Sequence, residues 1–486
     1  MAMIVYNKKS ARKRAINKTY RFMKVGVQDT GRGENFLPFN RPHLAVNLCS
    51  KDGEIVNTPG FCAYNQVFSA PEVPPFASTL TRVFKHTVRS TETSSTNYLI
   101  VCDLAQRVFT MVPGSMAEIK EVGSTKAEVI DAADFCQQGK DVAVLSTYLG
   151  LEMLVDGQLQ VIEGAPGATS ICTHKGRMFA VRRTPSSRVW FSDVMDVTNW
   201  NVSLTEGGYI DLDADVGNVL KLISLGEYLY VFCENSVWKI SAYGDQRSFV
   251  VVKVLETAGR IAYGSVVLGG GYVYYMTDAG FFRFDGYNAK RILTELDGIV
   301  PYVASVRDNT FCKSEVIWAV EVKDGPMTSH EIGRVMLIRL DVFSGEFSLS
   351  QGYLINSMVG FKHSGKTQLF TTQGAVNGNG AHKLIGVQCD EGTNFGQPVK
   401  KVYSTGMSDL GMSERKKHLK RMTFCTETPL DVLVRTDKGD FDYFVPEGIA
   451  CCVRPKVSFN RISLEIKTTE PVVRIVNPTV NIDFFE

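Results

Sequence analysis

A glycine followed by two strand-like runs recurs along the middle of the chain, and this repeat restricts the fold more than any other feature. Each copy reads as a short apolar run, a polar turn and a second run that carries aromatic residues. The clearest copies are GKDVAVLSTYLGLEMLVDG from Gly139, GRMFAVRRTPSSRVWFSD from Gly176, GEYLYVFCENSVWKISAYG from Gly226 and GGYVYYMTDAGFFRFDGYN from Gly270. Weaker copies begin at Asn97 and Gly365. A strand-built repeat of about 40–50 residues is typical of β-propeller blades.

Burial explains why such units would stack around a centre. One small antiparallel sheet cannot bury both of its faces, and radial stacking supplies that burial. The alternative is two stacked sandwiches whose hairpins share a spacing by coincidence. Runs rich in Val, Ile, Tyr and Phe, broken by turn formers, continue through most of the chain. Helical spacing is limited to the N-terminal segment and Lys126–Phe135. We therefore predict an all-β protein built around a β-propeller.

The pattern changes near residue 395. Apolar and polar residues alternate from Ile462 to Ile466 and from Val480 to Phe484, as in strands with one buried face. TDKGD at 436–440 is typical of a hairpin turn, and we expect the last strand to be held in place. The predicted domains are a basic N-terminal arm (1–40), a β-propeller (41–395) and a C-terminal β-sandwich, or platform (396–486).

Charge is distributed unevenly along the chain. Lys and Arg number 53 against 51 Asp and Glu, for a net charge of +2, yet residues 1–24 contain basic residues and no acid. A basic arm on a mildly acidic body indicates docking on an anionic partner, with a solvated terminus as the alternative. A second cluster heads the C-terminal domain and either binds such a partner or keeps a sheet edge solvated. The candidate assembly residues are Lys8, Lys9, Arg12, Lys13 and Arg14 in the arm, and Arg415, Lys416, Lys417, Lys420 and Arg421 in the cluster.

Cysteine usage and hydropathy bear on the compartment. The eleven cysteines include no C-x-x-C pair, so we expect free thiols in a reducing compartment. No run approaches 18 apolar residues, and the start MAMIVYNKKSARKR lacks the order of a signal peptide. These features favour a soluble protein made in the cytoplasm, without a membrane segment.

Two motifs suggest ligand chemistry, and neither has the context it needs. GFKHSGKT (Gly360–Thr367) fits the phosphate-loop pattern, but a strand-like run follows it where a helix is required, so we predict a hairpin. DLDADVGN (Asp211–Asn218) has alternate carboxylates, but Val216 and Leu222 stand where a calcium loop needs Gly and Glu. The seven histidines show no metal-ligand spacing. We predict no cofactor, no metal site and no enzymatic activity.

VWFSDVMDVTNW (Val189–Trp200) resembles the propeller-bearing tail hub, or nozzle, proteins of short-tailed bacteriophages, also called phage stabilisation proteins. In that family an aromatic-x-Ser strand end is followed by an acidic turn and a Trp or Phe. The matching residues are Trp190, Ser192, Asp196, Thr198 and Trp200. Met195 stands where the family often has glycine before the second acid. The resemblance is firmest over 170–290 and extends more loosely to ERKKHLKRMTF and PVVRIVNPTVNIDFF near the C-terminus.

The resemblance implies a virion structural protein of the tail, assembled in the host cytoplasm. Subunits of this family form a ring, typically six-fold, below the portal and its adaptor. That ring conducts double-stranded DNA without reading its sequence and anchors the tail needle or fibres. Two alternatives stay open. A glycan-binding or glycan-cleaving propeller would have carboxylates and arginines at the centre of its blades, and a WD40-like cellular scaffold would show repeated Gly-His and Trp-Asp signatures, which this chain lacks.

Overall fold

The computed structural model describes residues 15–22, 39, 42–64, 76–89, 95–114, 119–182, 187–203, 206–213, 217–323, 335–363, 365–374 and 381–485. Regular structure in these residues is almost entirely β-strand, which confirms the all-β class. The 3₁₀ helices among them are Gln246–Ser248, Thr294–Leu296, Val300–Tyr302 and Ala381–Lys383. Helix was the wrong expectation for Lys126–Phe135, where the strand Asp131–Gln137 forms, and for the described part of the N-terminal segment, where Ala15–Arg21 is a strand.

The chain forms two compact units, unit 1 (Met1–Thr58 with Lys400–Glu486) and unit 2 (Pro59–Val399). The strands of unit 1 that precede unit 2 are β1 (Ala15–Arg21), β2 (Pro42–Val46), β3 (Leu48–Lys51) and β4 (Glu54–Asn57). The domain boundary proposed after residue 395 lies close to the observed division. Residues 42–58 were predicted to belong to the propeller, but they belong to unit 1.

Unit 2 begins with β5 (Gly60–Ala63) and continues through six further groups of strands. These are β6 (Leu80–Arg89), β7 (Ser95–Asp103), β8 (Arg107–Met111), β9 (Lys120–Ser124); β10 (Asp131–Gln137), β11 (Lys140–Ser146), β12 (Leu151–Val155), β13 (Gln158–Ile162); β14 (Ser170–His174), β15 (Arg177–Val181), β16 (Arg188–Phe191), β17 (Gly208–Asp211); β18 (Val219–Leu225), β19 (Tyr228–Cys233), β20 (Ser236–Ser241), β21 (Val250–Glu256); β22 (Val267–Gly269), β23 (Tyr272–Thr277), β24 (Gly280–Phe284), β25 (Ala289–Ile292); and β26 (Val303–Cys312), β27 (Glu315–Val322), β28 (Val335–Asp341), β29 (Phe347–Gln351). The first five groups each form a four-stranded antiparallel sheet, and β26 to β29 pair antiparallel in the same order; we number the six sets sheets 1 to 6.

Sheet 7 joins the end of unit 2 to its beginning. Its strands are β30 (Ile355–His363), β31 (Lys366–Gln373), β32 (Gly386–Cys389), β33 (Thr393–Asn394) and β34 (Gln397–Pro398), together with β5. β5 lies beside β32, so the first strand of the unit completes a sheet whose other strands come from its last 45 residues or so.

The repeat glycines lie at corresponding points of these sheets. Gly139, Gly176, Gly226 and Gly270 each stand in the turn between the first and second strands of sheets 2 to 5, and each has a positive φ. Gly365 has the same place in sheet 7, with a φ of 78°. Glycine adopts this left-handed backbone without steric cost, and tight hairpin turns require it. The repeat therefore marks the first hairpin of each of these sheets.

Neighbouring sheets pack face to face in chain order. Shared apolar clusters join sheets 1 and 2, 2 and 3, 3 and 4, 4 and 5, and 6 and 7. Between sheets 5 and 6, the Trp318 indole N–H donates to the Ser265 carbonyl at 2.8 Å, and its ring lies 5.4 Å from that of Phe281. Sheet 7 packs on sheet 1 through a further cluster that includes Phe370 and Leu99. The succession of contacts thus returns to its starting sheet.

Cys62 of β5 and Cys389 of β32 form a disulfide in this structure, which corrects the expectation that every thiol is free. Their Cα atoms are 6.1 Å apart on paired strands, within the range that a disulfide spans. The two residues are 327 positions apart in sequence, so no local spacing could indicate the pair. The nine other cysteines, all within the described residues, form no disulfide.

Unit 1 has two sheets around one apolar core. Its later strands are β35 (Lys401–Thr405), β36 (Lys416–Thr426), β37 (Leu430–Thr436), β38 (Gly439–Val445), β39 (Gly448–Val453), β40 (Val457–Phe459), β41 (Ile462–Thr468) and β42 (Arg474–Phe485). Sheet 8 has the order β2-β35-β41-β37-β38. In sheet 9, β42 pairs with β36, β4 and β1, and β36 pairs also with β39 and β40.

The predicted alternation of buried and more exposed residues is observed in β42 but not in β41, whose intervening residues Ser463 and Glu465 are buried as well. Ile462, Leu464 and Ile466 of β41 are buried in the shared core, and so are the alternate residues Val480 and Ile482 of β42. The turn between β37 and β38 falls at the predicted 436–440 segment. The final strand β42 is paired along both edges, as expected for a terminus held in place. Residues 42–57 join this unit because β2 pairs with β35 and β4 with β42.

Candidate functional site

The predicted assembly residues are found in different settings. Lys8, Lys9, Arg12, Lys13 and Arg14 lie outside the described residues. In the second cluster, Lys416, Lys420 and Arg421 are exposed on β36 and Arg415 is half-buried just before it. Lys420 is near the Asp483 carboxylate, with 3.7 Å between Nζ and Oδ2.

Lys417 does not lie on that surface. Its side chain is fully buried, and its Nζ donates to the carbonyl oxygens of Arg415 (3.1 Å) and Asn460 (2.9 Å). Burial lowers the pKa of its amine, although the carboxylates of Asp409 and Asp437 oppose that effect. Alternation along β36 turns Lys417 inward, and its role is to satisfy carbonyls within unit 1.

The two ligand-like motifs have ordinary structural roles. GFKHSGKT forms the hairpin between β30 and β31, in which His363 pairs with Lys366 and a strand follows directly. Asp211 of the DLDADVGN motif accepts both a 2.6 Å and a 2.9 Å hydrogen bond from the Arg188 guanidinium, and Asp215 lies outside the described residues. Among the described residues, no group of three or more His, Cys, Asp or Glu side chains could hold a metal ion.

The Val189–Trp200 turn ties strands together through Ser192. This serine is fully buried at the end of β16, and its Oγ accepts the Met178 backbone N–H at 3.0 Å. Arg177, only 2% exposed, donates to the carbonyl oxygens of Ser192 and Glu206, both at 2.8 Å. A buried guanidinium with these acceptors fixes the path of the chain beyond the strand.

The second half of the turn attaches sheet 3 to sheet 2. Asp196 Oδ1 accepts hydrogen bonds from Gln137 of β10 (2.7 Å) and from the Thr198 hydroxyl (2.6 Å). Burial alone would raise the pKa of the Asp196 carboxyl, but these hydrogen bonds hold it below its ordinary value. The Trp200 indole N–H donates to the Val197 carbonyl at 2.7 Å, and its ring lies in the core between the two sheets. The hydrogen bonds of Asp196 and the buried ring of Trp200 therefore hold sheet 3 against sheet 2, which is a structural role.

Met195 adopts a backbone conformation that favours glycine, the residue that the resembled family often has at this position. Its φ is 57°, in the left-handed region that side chains other than glycine adopt at a cost. Its backbone N–H donates to the Gly176 carbonyl at 2.7 Å, and its carbonyl accepts the Gln138 N–H at 3.0 Å. These two bonds hold the strained conformation in place, whichever side chain is present.

We expect Met195→Gly to stabilise unit 2 by up to about 1 kcal/mol, because it removes the left-handed strain. Met195→Val should instead destabilise it by about 1–3 kcal/mol, since a β-branched side chain fits this conformation poorly. Val194→Gly is the matched control and should cost about 0.5–1 kcal/mol through chain entropy alone. Urea unfolding followed by tryptophan fluorescence measures all three. A loss of stability in Met195→Gly equal to that in Val194→Gly would contradict the strain.

A polar centre, which sequence reasoning missed, lies where the first strands of the sheets converge. Arg82 (β6), Asp131 (β10), Lys221 (β18) and both Arg307 and Asp308 (β26) line one cavity of about 90 Å³. Residues just before β14 and β22 complete its wall, among them Thr169 and Tyr263. An adjoining cavity of about 340 Å³ shares part of this lining and adds residues of β30. We call the charged residues Arg82, Asp131, Lys221, Arg307 and Asp308 the central cluster.

Lys221 and the two carboxylates of the central cluster have partners within the protein. Lys221 Nζ lies 2.7 Å from Asp131 Oδ2, which also accepts the Ile171 backbone N–H at 3.1 Å. Burial disfavours the charged lysine, yet the Asp131 carboxylate holds the pKa of Lys221 above its ordinary value. Asp308 Oδ2 accepts the Met358 N–H at 2.6 Å, while burial raises the pKa of its carboxyl. The central cluster therefore contains one ion pair, Lys221 with Asp131, and a second carboxylate held by a backbone donor.

Neither a protein-family model nor a curated protein sequence matches this chain. None of the helices in the described part of the chain has the length and apolar character that a membrane crossing requires. Among solved structures, the chain is similar to the crystal structure of the computationally designed Ika8 protein. The TM-score is 0.36 and the identity 10%, over 65% of this chain and 97% of that chain. A likeness at that TM-score carries no weight for the fold or the function of this chain.

Proposed function

We propose that unit 2 is a seven-bladed β-propeller and that unit 1 is a β-sandwich. Seven successive sheets that pack in chain order, with the seventh against the first, support the propeller. Completion of sheet 7 by β5 supports it too, because a strand from the start of a propeller commonly closes its last blade. The sandwich is supported by the core that sheets 8 and 9 share.

We propose that the protein is a non-enzymatic tail hub, or nozzle, subunit of a short-tailed bacteriophage virion. The observation that carries this proposal is the Val189–Trp200 turn. Met195 adopts a left-handed backbone at the position where that family often has glycine, and Trp200 folds into the core beside it. A left-handed backbone at Met195 is the conformation that glycine adopts without steric cost, which supports the resemblance. A propeller followed by a C-terminal sandwich is also the architecture that the resemblance implies.

The proposed DNA conduit lies between subunits of a ring. The central cavities of one subunit measure about 90 and about 340 Å³, room for a limited number of water molecules at roughly 30 Å³ each. A duplex cannot pass through them. A closed ring of identical subunits joined through different faces provides a lumen of the necessary width. Its partners would be the portal or adaptor on one side and needle or fibre proteins on the other.

The test is the solution mass by light scattering, combined with negative-stain images. We expect rings of about six subunits of 53.8 kDa each. The charge reversal Arg421→Glu, on the exposed side of β36, should weaken ring formation or binding to portal-containing heads. Lys366→Glu, on the exposed hairpin of sheet 7, is the matched control and should change neither. A protein that stays monomeric at high concentration and does not bind heads would contradict the hub assignment.

A second function, glycan binding, is favoured by the central cluster. Carboxylates and arginines at the centre of the blades are the feature that the glycan alternative requires, and Asp131, Asp308, Arg82 and Arg307 supply them. Glycan-array binding by the monomer tests this function. Specific binding that is lost in Asp131→Asn, with no ring formation, would favour a receptor-binding tail protein over a hub.

A further inference from the structure

The arginines of the central cluster carry more hydrogen-bond donors than the described protein groups satisfy. Among the described residues, no hydrogen bond is made by the Arg82 side chain, which lines the cavity and interacts with Asp308 through charge only. Arg307 Nε is buried without a partner. Its terminal nitrogens make long contacts only, 3.4 Å to Glu321 Oε2 and 3.5 Å to Asn356 Oδ1. A guanidinium carries five N–H donors, and the buried Arg307 Nε, left unsatisfied away from water, costs free energy.

The carboxylates of the cluster, in contrast, already have protein partners. Asp131 accepts from Lys221 and from the Ile171 backbone. Asp308 accepts the backbone N–H groups of Met358 (2.6 Å) and Asn309 (2.9 Å). Among the described residues, the acceptors near Arg307 are Glu321 and Asn356, both at long range, so the guanidinium donors of the site outnumber its well-placed acceptors. A ligand that supplies acceptor oxygens is the chemical complement of this arrangement.

We propose that the central cavity binds one small oxyanion, held chiefly by the guanidinium groups of Arg82 and Arg307. Planar guanidinium groups bind two oxygens of a phosphate or carboxylate at once. The cavity of about 90 Å³ has room for such an ion and not for a nucleotide or a polymer. The adjoining cavity of about 340 Å³ shares Asp131, Lys221 and Asp308 of its lining. This site is independent of the tail-hub proposal and concerns the monomer.

Titration calorimetry with inorganic phosphate, at constant ionic strength set by chloride, tests the proposal. We expect saturable binding of one phosphate per chain. Arg82→Gln should lower the affinity about tenfold or more, because it removes a charged donor pair. Arg82→Lys keeps the charge, loses the forked donors and should also weaken binding, which keeps the test valid if the glutamine variant folds poorly. Arg283→Gln is the matched control, since Arg283 of β24 covers the ring of Tyr272 of β23 and does not line the cavity.

Two further probes separate the sources of the oxyanion. Sulfate and acetate should compete with phosphate, since the site recognises acceptor oxygens and not phosphorus. ATP and a short single-stranded DNA should not compete, because the cavity excludes them. Absence of saturable phosphate binding, binding unchanged in Arg82→Gln, or tighter binding of the larger phosphates would each overturn the proposal.

Discussion

Deletion of residues 2–14 should abolish attachment of the protein to phage heads while leaving its thermal unfolding unchanged. The deletion removes Lys8, Lys9, Arg12, Lys13 and Arg14 and ends just before β1. Exposed cations bind an acidic partner through charge, so attachment of the intact protein should also weaken as salt is raised. Addition of purified protein to particles that lack it, followed by sedimentation, measures attachment. Calorimetry measures unfolding.

A longer deletion distinguishes the effect of losing the basic arm from the effect of losing β1 and Phe22 of unit 1. Removing residues 2–24 also removes β1, which pairs with β42 from Ala15 to Arg21, and Phe22, which is fully buried beside Phe39 and Tyr403. Loss of a buried phenylalanine alone costs about 3–5 kcal/mol, so unit 1 should unfold at a lower temperature. Phe22→Ala should reproduce this loss without loss of the cations. Normal attachment by the 2–14 deletion would reduce the arm to a solvated terminus, whereas tight DNA binding by the arm peptide would indicate genome contact.

Local turn chemistry decided how much of the fold could be predicted. Sheets 2 to 5 were found in the sequence because their first hairpins contain a glycine at a positive φ. The corresponding turn of sheet 6 contains Lys313, which adopts a φ of 57° without a glycine. The glycine repeat therefore does not mark sheet 6, although its four strands pair in sequence order like those of the other sheets. A left-handed residue can be a lysine when the paired strands hold it there.

Non-local contacts were beyond the reach of sequence reasoning. β5 joins β32 across most of unit 2, and the Cys62–Cys389 disulfide follows from that pairing. The central cluster collects residues from 82 to 308, each an ordinary charged position within its own strand. The packing of successive sheets, which no local pattern encodes, brings these side chains to one cavity. The Val189–Trp200 turn could be singled out from the sequence because its five matched residues span only eleven positions, whereas the family resemblance itself stays a proposal.

His174 makes the stability of unit 2 depend on pH. It ends β14 at the contact with β18, where its Nδ1 lies 2.8 Å from Ser224 Oγ and its buried Nε2 has no partner. Burial, assisted by the neighbouring Lys175, lowers the pKa of this imidazole to about 4 from an ordinary value of 6.5. Between pH 6.5 and about pH 4, His174 is therefore protonated in the unfolded chain but stays neutral in the folded protein. Stability is lost as the pH falls from 6.5 toward 4.

Because of His174, we expect the free energy of unfolding to fall by about 2 kcal/mol between pH 7 and pH 5, and by about 3 kcal/mol between pH 7 and pH 4. His174→Asn keeps a polar group near Ser224 and removes the titration, so its stability should fall less over the same range. All four tryptophans lie in unit 2, so urea unfolding followed by their fluorescence reports on this unit. Carboxylates titrate in both proteins and cancel in the difference between them. Parallel pH profiles for the two proteins would show that the imidazole is protonated as easily in the folded state as in the unfolded chain.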